Sequence, residues 1–491
     1  MKHNKSGNKE SFSSFSLKKE LQKAIKELGF NHPTPIQSKV IPHLLSSKQD
    51  LIASAQTGTG KTAAFGLPLL ELTNTKDNNV QTLILCPTRE LCIQISNDLS
   101  SYSKYLKEIK TLAVYGGTKI EKQIRSLKKG VHIVVGTPGR TKDLIKRKKL
   151  FVSNIDRFIL DEADEMLSMG FKDDLEFILK SASEEKQTLL FSATMTPKVS
   201  SVTKKYMKNP TEIAVARVNR GADNVHHVFY MVQAKDRYEV IKRIADMNPD
   251  IYGIVFCRTR RETKEVANKL MNDHYNADTI HGDLSQSERD DVMRRFRKRH
   301  LQILVATDVA ARGLDVEDLT HVINYNLPDD DETYVHRSGR TGRAGKKGVS
   351  MVIIHGREQR KLKDIEKKSG ISFVKQHVPN GMDICKKRLY ALIDKIEKVN
   401  VNEDQIEQFL PYIYDKLNWL DREQLIKHFV SAEFNRYLSY YKNSKDINVE
   451  AHFSNKEKTR RSKRGRRRFH NSKNKRKFNR KNKRNKGRQS K

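Results

Sequence analysis

The most constraining feature of this chain is a glycine-rich loop set between an apolar segment and a helical one. Leu51-Ile52-Ala53 is typical of a strand, and Ala55-Gln56-Thr57-Gly58-Thr59-Gly60-Lys61-Thr62 follows it directly. Glycines in such a loop let backbone N–H groups approach phosphates, and the next helix presents its positive N-terminus. Lys61 is expected to meet the β- and γ-phosphates of a nucleotide, and Thr62 to ligate Mg²⁺. Ala55 replaces the first glycine of the usual pattern, yet the strand–loop–helix context predicts nucleotide binding.

A second apolar segment, Phe158-Ile159-Leu160, ends in the carboxylate-rich stretch Asp161-Glu162-Ala163-Asp164. The carboxyl ends of strands are where open α/β sheets bind their ligands. One carboxylate can hold Mg²⁺ through its water shell, and its neighbour can polarise an attacking water. An acidic loop after a strand is also typical of a solvated surface, so the catalytic interpretation depends on the phosphate loop upstream.

Apolar strand candidates alternate with helical segments in two parts of the chain, which predicts doubly wound parallel sheets of the α/β class. The first part contains Leu51–Ala53, Thr82–Cys86, Leu112–Tyr115, Ile133–Val135, Phe158–Leu160 and Thr188–Phe191. The second contains Val228–Val232, Gly253–Cys257, Ile303–Ala306, Val322–Tyr325 and Val349–Ile354. Between them the pattern breaks, and we expect an interdomain linker at residues 216–225.

The net charge of +36 is distributed unevenly along the chain. Residues 456–491 hold 20 Lys and Arg against the single acid Glu457, so this segment carries +19 and the first 455 residues carry +17. Basic character in both parts favours a polyanionic partner such as nucleic acid, with a merely solubilising tail as the alternative. Residues 454–491 are too polar to bury a core, which predicts a disordered arm that binds nucleic acid.

The remaining composition favours a cytoplasmic protein. No apolar run approaches the length of a membrane span, and the start of the chain has no signal-peptide core. Its four cysteines, Cys86, Cys92, Cys257 and Cys385, form no CxxC pair and are typical of reduced packing residues. No zinc site is indicated.

Two further groups of side chains suit a nucleotide. Gln37 offers the donor and acceptor that adenine's N6 and N7 require, and Phe30 can stack on the ring. Arg340 and Arg343, close together in a glycine-containing loop, can stabilise charge on a transferring phosphoryl group. Each of these residues also has a simpler interpretation. Gln37 would be a glutamine on a helix surface, and Phe30 a core aromatic residue. The two arginines would bind nucleic acid or lie on the surface.

With these segments in order, the chain resembles the DEAD-box ATP-dependent RNA helicases, and more narrowly their bacterial cold-shock and ribosome-assembly type. The matching segments, between about residues 12 and 370, are Gly29–Gln37, Ala55–Thr62, Pro87–Leu91, Thr137–Arg140, Asp161–Asp164, Ser192–Thr194, Phe256–Arg258, Gln286–Arg289, Ala311–Asp315 and His336–Arg343. Ser338 stands where the family usually has an aliphatic residue. The resemblance implies two tandem RecA-like domains, residues 1–215 (with an N-terminal extension) and 226–372, with ATP and Mg²⁺ between them.

The resemblance also implies roles in the ATP site. Nucleotide binding would fall to Phe30, Gln37, Ala55, Gln56, Thr57, Gly58, Thr59, Gly60, Lys61, Thr62, Gly313, Asp315, Arg340 and Arg343, with Phe12 as a further upstream aromatic. Catalysis would fall to Lys61, Asp161, Glu162, Arg340 and Arg343, with Glu162 as general base. Mg²⁺ would be bound by Thr62 and, through water, by Asp161.

Two more sets of residues follow from the resemblance. Coupling between the ATP site and domain closure would involve Asp164, Ser192, Ala193, Thr194 and His336. RNA would lie over both domains against Pro87, Thr88, Arg89, Gly117, Thr137, Gly139, Arg140, Arg258, Gly282 and Thr307. Contacts of this kind to the RNA backbone carry little sequence information. The expected partner is therefore structured or ribosomal RNA, bound without sequence preference.

Residues 380–447 have apolar residues at helical spacing and predict a helical extension. Related bacterial helicases use a comparable region for dimerisation or RNA binding, and simple packing on the second domain is the alternative.

Ribosome-assembly or RNA-degradation proteins are further expected partners. Two other functions stay open at this point: a DNA helicase or translocase on the same core, and a non-catalytic RNA clamp or annealing chaperone.

Overall fold

The computed structural model describes residues 11–55, 58–214, 224–311, 316, 319–342, 346–442 and 444–449. The basic arm predicted at residues 454–491 therefore lies outside the described residues, as does most of the linker predicted at 216–225.

A parallel seven-stranded sheet forms the first domain. Its strands are β1 (Leu51–Ser54), β2 (Thr82–Leu85), β3 (Thr111–Val114), β4 (Ile133–Gly136), β5 (Arg157–Leu160), β6 (Gln187–Ser192) and β7 (Thr211–Ala214). They lie in the order β3-β4-β2-β5-β6-β1-β7. Because β1, β6 and β5 are consecutive in the sheet, the loops at their carboxyl ends meet at one edge.

Helices cover both faces of this sheet, since every parallel crossover needs a long connection. They are α1 (Lys19–Glu27), α2 (Pro35–Ser46), α3 (Lys61–Leu72), α4 (Arg89–Tyr102), α5 (Ile120–Lys128), α6 (Pro138–Lys146), α7 (Ala163–Ser168), α8 (Lys172–Ser181) and α9 (Pro197–Tyr206). Helices α1–α4 pack on one face around Phe65 and Leu67, and α5–α9 pack on the other around Phe158 and Met166.

The second domain repeats the same topology. Its strands are β8 (Val225–Met231), β9 (Gly253–Phe256), β10 (Ala277–Ile280), β11 (Ile303–Ala306), β12 (His321–Asn324), β13 (Gly348–Ile354) and β14 (Val374–Gln376). Their order, β10-β11-β9-β12-β13-β8-β14, is that of the first sheet with every strand number raised by seven. The helices are α10 (Arg237–Met247), α11 (Arg260–Asn272), α12 (Gln286–Arg297), α13 (Asp308–Ala311), α14 (Asp331–Ser338) and α15 (Gln359–Ser369).

The predicted fold class, two tandem RecA-like domains with a helical extension, is confirmed by this architecture. Three strands, β7, β10 and β14, had no counterpart among the strand candidates of the sequence. All three lie at sheet edges, where half-exposed positions replace the continuous apolar run of a central strand.

A helical extension follows the second sheet and packs against α10. It comprises α16 (Gly381–Glu397), α17 (Glu403–Ile406), α18 (Leu410–Leu417) and α19 (Arg422–Tyr441). The buried Asp246 of α10 fastens it by accepting hydrogen bonds from Tyr275, Arg388 and Tyr441. Among the described residues, no helix is both long and apolar enough to cross a membrane.

Candidate active site between the two domains

The phosphate loop lies at the carboxyl edge of the first sheet, directly after β1. The Ala55 N–H donates to the Ser192 carbonyl at 3.0 Å, which ties the start of the loop to the end of β6. Gly58 and Gly60 have φ angles of 78° and 85°, which glycine adopts without strain. No described side chain caps α3, so the N–H groups of its first turn are available to an anion. Gln56 and Thr57 lie outside the described residues.

Lys61, the first residue of α3, is buried beside the carboxylate that ends β5. Its Nζ lies 3.7 Å from Asp161 Oδ1 and forms no hydrogen bond to any described group. A buried ammonium without acceptors is costly, and phosphate oxygens would supply them. The residues present therefore fit a nucleotide phosphate at this point.

Asp161 and Glu162 are buried, at 3% and 8% exposure. Burial raises the pKa of both carboxyls, although the nearby Lys61 opposes the shift. Glu162 adopts a left-handed conformation, with φ 53° and ψ 50°, and its N–H donates to Asp161 Oδ1 at 3.0 Å. A non-glycine residue held in this region carries backbone strain of about 1–3 kcal/mol, which is typical of functional sites. A carboxylate with a raised pKa is suited to take a proton from water.

No group of three or more His, Cys, Asp or Glu side chains within the described part of the chain is arranged as a metal cage. Asp161, beside the Lys61 ammonium, and Thr62, the next residue of α3, are oxygen donors of the kind that Mg²⁺ accepts. Mg²⁺ at nucleotide sites takes most of its ligands from water and phosphate, so one carboxylate and one hydroxyl fit it.

Gln37 connects the phosphate loop to the segment Gly29–Gln37, which the sequence predicts to bind adenine and which we call the adenine-reading segment. Its Oε1 accepts from the Thr34 N–H at 2.8 Å, and its Nε2 donates to the Gly60 carbonyl at 3.1 Å. One amide hydrogen and one lone pair remain, enough for one base edge. A Cβ on Gly60 would lie 2.4 Å from Gln37 Nε2, so this contact requires glycine. The half-buried Phe30 ring lies 6.0 Å from that of Phe12.

The acidic stretch is also hydrogen-bonded to the segment after β6. Asp164 Oδ2 accepts from both the N–H and the hydroxyl of Thr194 at 2.8 Å. The Ser192 hydroxyl in turn donates to the Thr194 carbonyl at 2.7 Å, which closes a tight turn around Ala193. A displacement of Asp164 is therefore transmitted directly to this turn.

The second domain reaches the acidic stretch through His336 of α14. Its Nδ1 lies 2.9 Å from Glu165 Oε1, and its Nε2 lies 3.8 Å from Asp164 Oδ2. Burial by itself would lower the pKa of His336, but the hydrogen bond to Glu165 and the charges of Glu165 and Asp164 raise it overall. Glu165, which immediately follows the predicted stretch, was missed by the sequence reasoning.

Arg340 lies on the same segment as His336 and is buried at 8% exposure. Its positive charge acts on Glu162 across the cleft and opposes the rise in that residue's pKa. The other predicted second-domain contacts to nucleotide, Gly313, Asp315 and Arg343, lie outside the described residues. The cleft therefore joins a phosphate loop and buried carboxylates on one domain to an arginine on the other.

Arg337 fixes this segment to the second sheet, and sequence reasoning did not single it out. It is buried and donates two hydrogen bonds to Asp308, at 2.6 and 2.7 Å. It also donates to Asn324 Oδ1 at 2.9 Å and to the Asn326 carbonyl at 3.0 Å. The planar guanidinium suits such a bidentate arrangement, which orients α14 with His336 and Arg340.

The residues predicted to contact RNA lie at the carboxyl ends of strands in both sheets. In the first domain Pro87 and Thr88 precede α4, where the Thr88 hydroxyl caps the helix by accepting from the Leu91 N–H. Arg89 lies over the Tyr115 ring at 4.9 Å, and its Nε and Nη1 are buried without a described hydrogen-bond partner. Such donors fit a phosphate of a nucleic acid.

Two reciprocal ion pairs join the domains beside Arg89. Its Nη2 lies 3.1 Å from Asp290, and Arg289 Nη2 lies 3.2 Å from Glu90. Consecutive residues on α4 thus pair with consecutive residues on α12, and the sequence reasoning identified neither acid. The pairs lie on the same side of the cleft as the predicted RNA residues.

The remaining first-domain residues follow β3 and β4. Gly117 has a φ of 79°, Thr137 precedes α6, and Gly139 is exposed in its first turn. Arg140 donates to Gln123 Oε1 and to the Thr118 carbonyl, both at 3.1 Å, and so braces the loop after β3.

In the second domain Arg258, Gly282 and Thr307 follow the adjacent strands β9, β10 and β11. Arg258 is exposed and lies 3.2 Å from Asp329. The structure thus collects the predicted RNA residues along one edge of each sheet.

These features define a class: a two-domain, nucleotide-hydrolysing helicase core with its site divided between RecA-like domains. Comparison with family models gives the family. Residues 34–202 match the DEAD/DEAH box helicase model, residues 236–345 the helicase conserved C-terminal domain, and residues 384–442 the helical domain of a probable ATP-dependent RNA helicase. The chain belongs to the DEAD-box ATP-dependent RNA helicases.

Known relatives and solved structures support the same family assignment. The chain is 44% identical over 410 residues to the ATP-dependent RNA helicase CshA of Listeria monocytogenes, covering 84% of this chain and 78% of that one. It is 46% identical over 355 residues to the DEAD-box ATP-dependent RNA helicase CshA of Bacillus subtilis, covering 72% of each. Yeast Dbp5 bound to RNA and ADP BeF3 superposes with a TM-score of 0.70 at 30% identity, over 77% of this chain and 99% of that one. Mss116p bound to ssRNA and AMP-PNP gives a TM-score of 0.68 at 29% identity, over 85% and 88%.

Proposed function

We propose that this helicase hydrolyses ATP with Glu162 as the general base and separates short RNA duplexes locally when the two domains close. The observation that carries the proposal is the buried, strained Glu162, whose pKa is raised by burial, while the charges of both Lys61 of the first domain and Arg340 of the second oppose that rise. Water activated by this carboxylate would attack the terminal phosphate. Bound Mg²⁺ would neutralise phosphate charge, held by Thr62 and, through water, by Asp161.

The arginines complete this site only upon closure. Lys61 and the backbone of the phosphate loop hold the phosphates on the first domain, while Arg340 and Arg343 stabilise the charge that develops on the transferred group. Gln37 and Phe30 select adenine, and Asp315 and Gly313 approach the nucleotide from the second domain. Half a site on each domain makes hydrolysis dependent on their contact.

RNA would favour the same closed state. It would bridge Arg89, Gly117 and Thr137 on the first domain and Arg258 and Thr307 on the second, so ATP and RNA strengthen each other's binding. The unpaired, buried donors of Arg89 support this path. Backbone contacts that bend one strand are incompatible with a straight duplex, and hydrolysis would release the product.

The cellular role we propose is ribonucleoprotein remodelling in the cytoplasm, in ribosome assembly, cold adaptation or RNA turnover. Similarity to the bacterial CshA helicases supports this role. The basic arm at residues 454–491 would tether RNA without sequence preference.

The extension would also join two copies of the chain. Large apolar side chains of the extension are exposed, among them Tyr412 on α18, Trp419 between α18 and α19, and Phe429 on α19, at 68%, 67% and 46%. An exposed apolar surface of this extent is typical of a protein interface. The match of residues 384–442 to a helical-domain model of their own supports a dedicated role for the extension. The oligomeric state of the full chain, measured by light scattering, tests this part of the proposal.

The Glu162→Gln variant tests the catalytic proposal. It should still bind ATP and, with ATP, hold RNA, while phosphate release falls by at least about 100-fold because the base is lost. Glu20→Gln, at an exposed position of α1, is the matched control and should behave like the unaltered chain. Normal phosphate release by Glu162→Gln would exclude Glu162 as the base. Equal stimulation of the unaltered chain by DNA would exclude the RNA preference.

A further inference from the structure

The positive charge of the chain outside its last segment is concentrated in one part of the first domain. Residues 104–149 contain fourteen Lys and Arg against three acids, a net charge of +11. The first 455 residues together carry only +17, so these 46 residues hold about two thirds of it. A concentration this strong sets up a local field that attracts a polyanion.

The structure brings these charges together on one surface. The segments before β3 and β4 lie side by side, since the Lys110 N–H donates to His132 Nδ1 and the His132 N–H donates to the Lys110 carbonyl, both at 3.0 Å. Arg147, after α6, acts electrostatically on Glu121 of α5. We name the surface formed by residues 104–110, α5 with 128–129, and 146–151 the basic face.

Most of these charges are exposed and lack an ion-pair partner. Twelve of the fourteen cations are exposed, the exceptions being Arg140 and Lys142. Only Lys104, Lys142 and Arg147 pair with a described carboxylate. The others repel one another, and a bound polyanion would relieve that repulsion.

An exposed aromatic ring lies within the basic face. Phe151 directly follows Lys146-Arg147-Lys148-Lys149 and is 72% exposed, the largest value among the exposed apolar side chains of the described residues. A ring on a positive surface is a platform on which unpaired bases stack, and every base has a face for it.

We propose that the basic face is a second RNA-binding site, which holds the part of an RNA strand that extends beyond the cleft. The site rests on the RNA path proposed above, because α5 and α6 both begin beside predicted RNA residues, Gly117 and Gly139. The nine residues of α5 then run for about 13 Å toward the opposite edge of the sheet. A strand leaving the cleft along α5 meets Lys122, then Lys128 and Lys129, and reaches Phe151.

A charge-reversal variant of the full chain tests this site. In K128E/K129E/K148E/K149E, four exposed lysines of the basic face are reversed. The control K367E/K368E/K386E/K387E makes the same charge change at exposed positions of α15 and α16. Binding of single-stranded oligouridylates of increasing length is measured with ATP at several salt concentrations, together with the RNA-stimulated ATPase rate at saturating RNA.

The basic-face variant should match the unaltered chain for the shortest oligouridylates that bind and should weaken about tenfold or more for long ones. The slope of log K against log salt for long RNA should fall by about 3, at about 0.7 for each of four lost phosphate contacts. The saturated ATPase rate should not change. An equal loss in the control variant, or an equal loss at every length, would overturn the second site.

Phe151→Ala supplies an independent measurement that does not alter charge. It should weaken long single strands roughly tenfold and leave fully paired duplexes unaffected, because only unpaired bases stack. Unchanged affinity for long single strands would remove Phe151 from the site. If oligouridylates fail to stimulate the ATPase of the unaltered chain, the proposed RNA path through the cleft is wrong. If stimulation is normal but the basic-face variant and its control bind long RNA equally well, only the second site is wrong.

Discussion

His336 of the second domain and Glu165 of the first lie 2.9 Å apart, Nδ1 to Oε1, and form a buried contact between the two halves of the ATP site. The pair belongs to the closed arrangement of the domains. A histidine there has its pKa raised above its ordinary value of about 6.5. Protonation of His336 and closure therefore favour each other.

Closure should weaken as pH rises through the raised pKa of His336. The contribution of the pair is fully present below about pH 6.5 and is lost above the raised value, because the neutral ring no longer forms a charged hydrogen bond. In Glu165→Gln the apparent RNA affinity with ATP should be roughly tenfold lower at pH 6.5 and nearly independent of pH above it. RNA-binding titrations between pH 6 and 9 measure this, and an unaltered pH profile in the variant would refute the assignment.

Gly60→Ala should abolish tight ATP binding without unfolding the chain. The new Cβ would meet Gln37 Nε2 at 2.4 Å and displace the amide that joins the adenine-reading segment to the phosphate loop. We expect ATP affinity to fall by about 10–100-fold, as for a buried polar contact that is lost. Gly170→Ala is the control, because Gly170 has a similar φ of 88° but nothing within 4 Å of its Cβ position. Equal ATP affinities of the two variants would count against the prediction.

The Glu90–Arg289 pair should couple the domains on the RNA side. Both side chains are 16% exposed, so the pair is partly shielded from solvent. Glu90→Arg places two like charges together and should lower RNA-stimulated ATP hydrolysis at subsaturating RNA by about tenfold. The exchange Glu90→Arg with Arg289→Glu should restore much of it. A double variant no better than the worse single variant would show that the pair does not act across the interface.

Arg337→Lys should lower both stability and activity. Lysine keeps the charge but cannot form the two-pronged contact with Asp308 or reach Asn324 at the same time. Because the group is buried, the loss should be about 3 kcal/mol in the second domain, read as a lower thermal midpoint of the full chain. Asp308→Asn, which leaves one acceptor oxygen, should lose less. A midpoint unchanged in Arg337→Lys would contradict this structural role.

Most of the fold could be predicted from the sequence because the central strands are continuous apolar runs. Ile303–Ala306 is fully buried and was located to the residue. Three of the four edge strands, β7, β10 and β14, were missed for a physical reason: β10, for example, contains Asp278 and Thr279 at half-exposed positions, and β14 contains Lys375. The fourth, β3, keeps the apolar run Leu112-Ala113-Val114 and was predicted. An edge strand with polar side chains lacks the apolar pattern that identifies a central strand.

The residues of the candidate site likewise fall into two groups, those that the sequence predicts and those that it does not. Lys61 and Asp161 lie in segments whose residue order predicts their chemistry, and the structure places them 3.7 Å apart. The ion pair of Arg289 with Glu90 joins residues 199 positions apart on charged helices, where sequence offers no pairing signal. Such contacts depend on how two domains meet, which local patterns do not encode.

The attachment of the helical extension has a mechanical consequence. Because Asp246 binds Tyr275, Arg388 and Tyr441 together, the extension is anchored to α10 and travels with the second domain. In a pair of chains joined through their extensions, the two second domains would form a stationary base. The first domains, which carry the phosphate loops, would then move relative to this base.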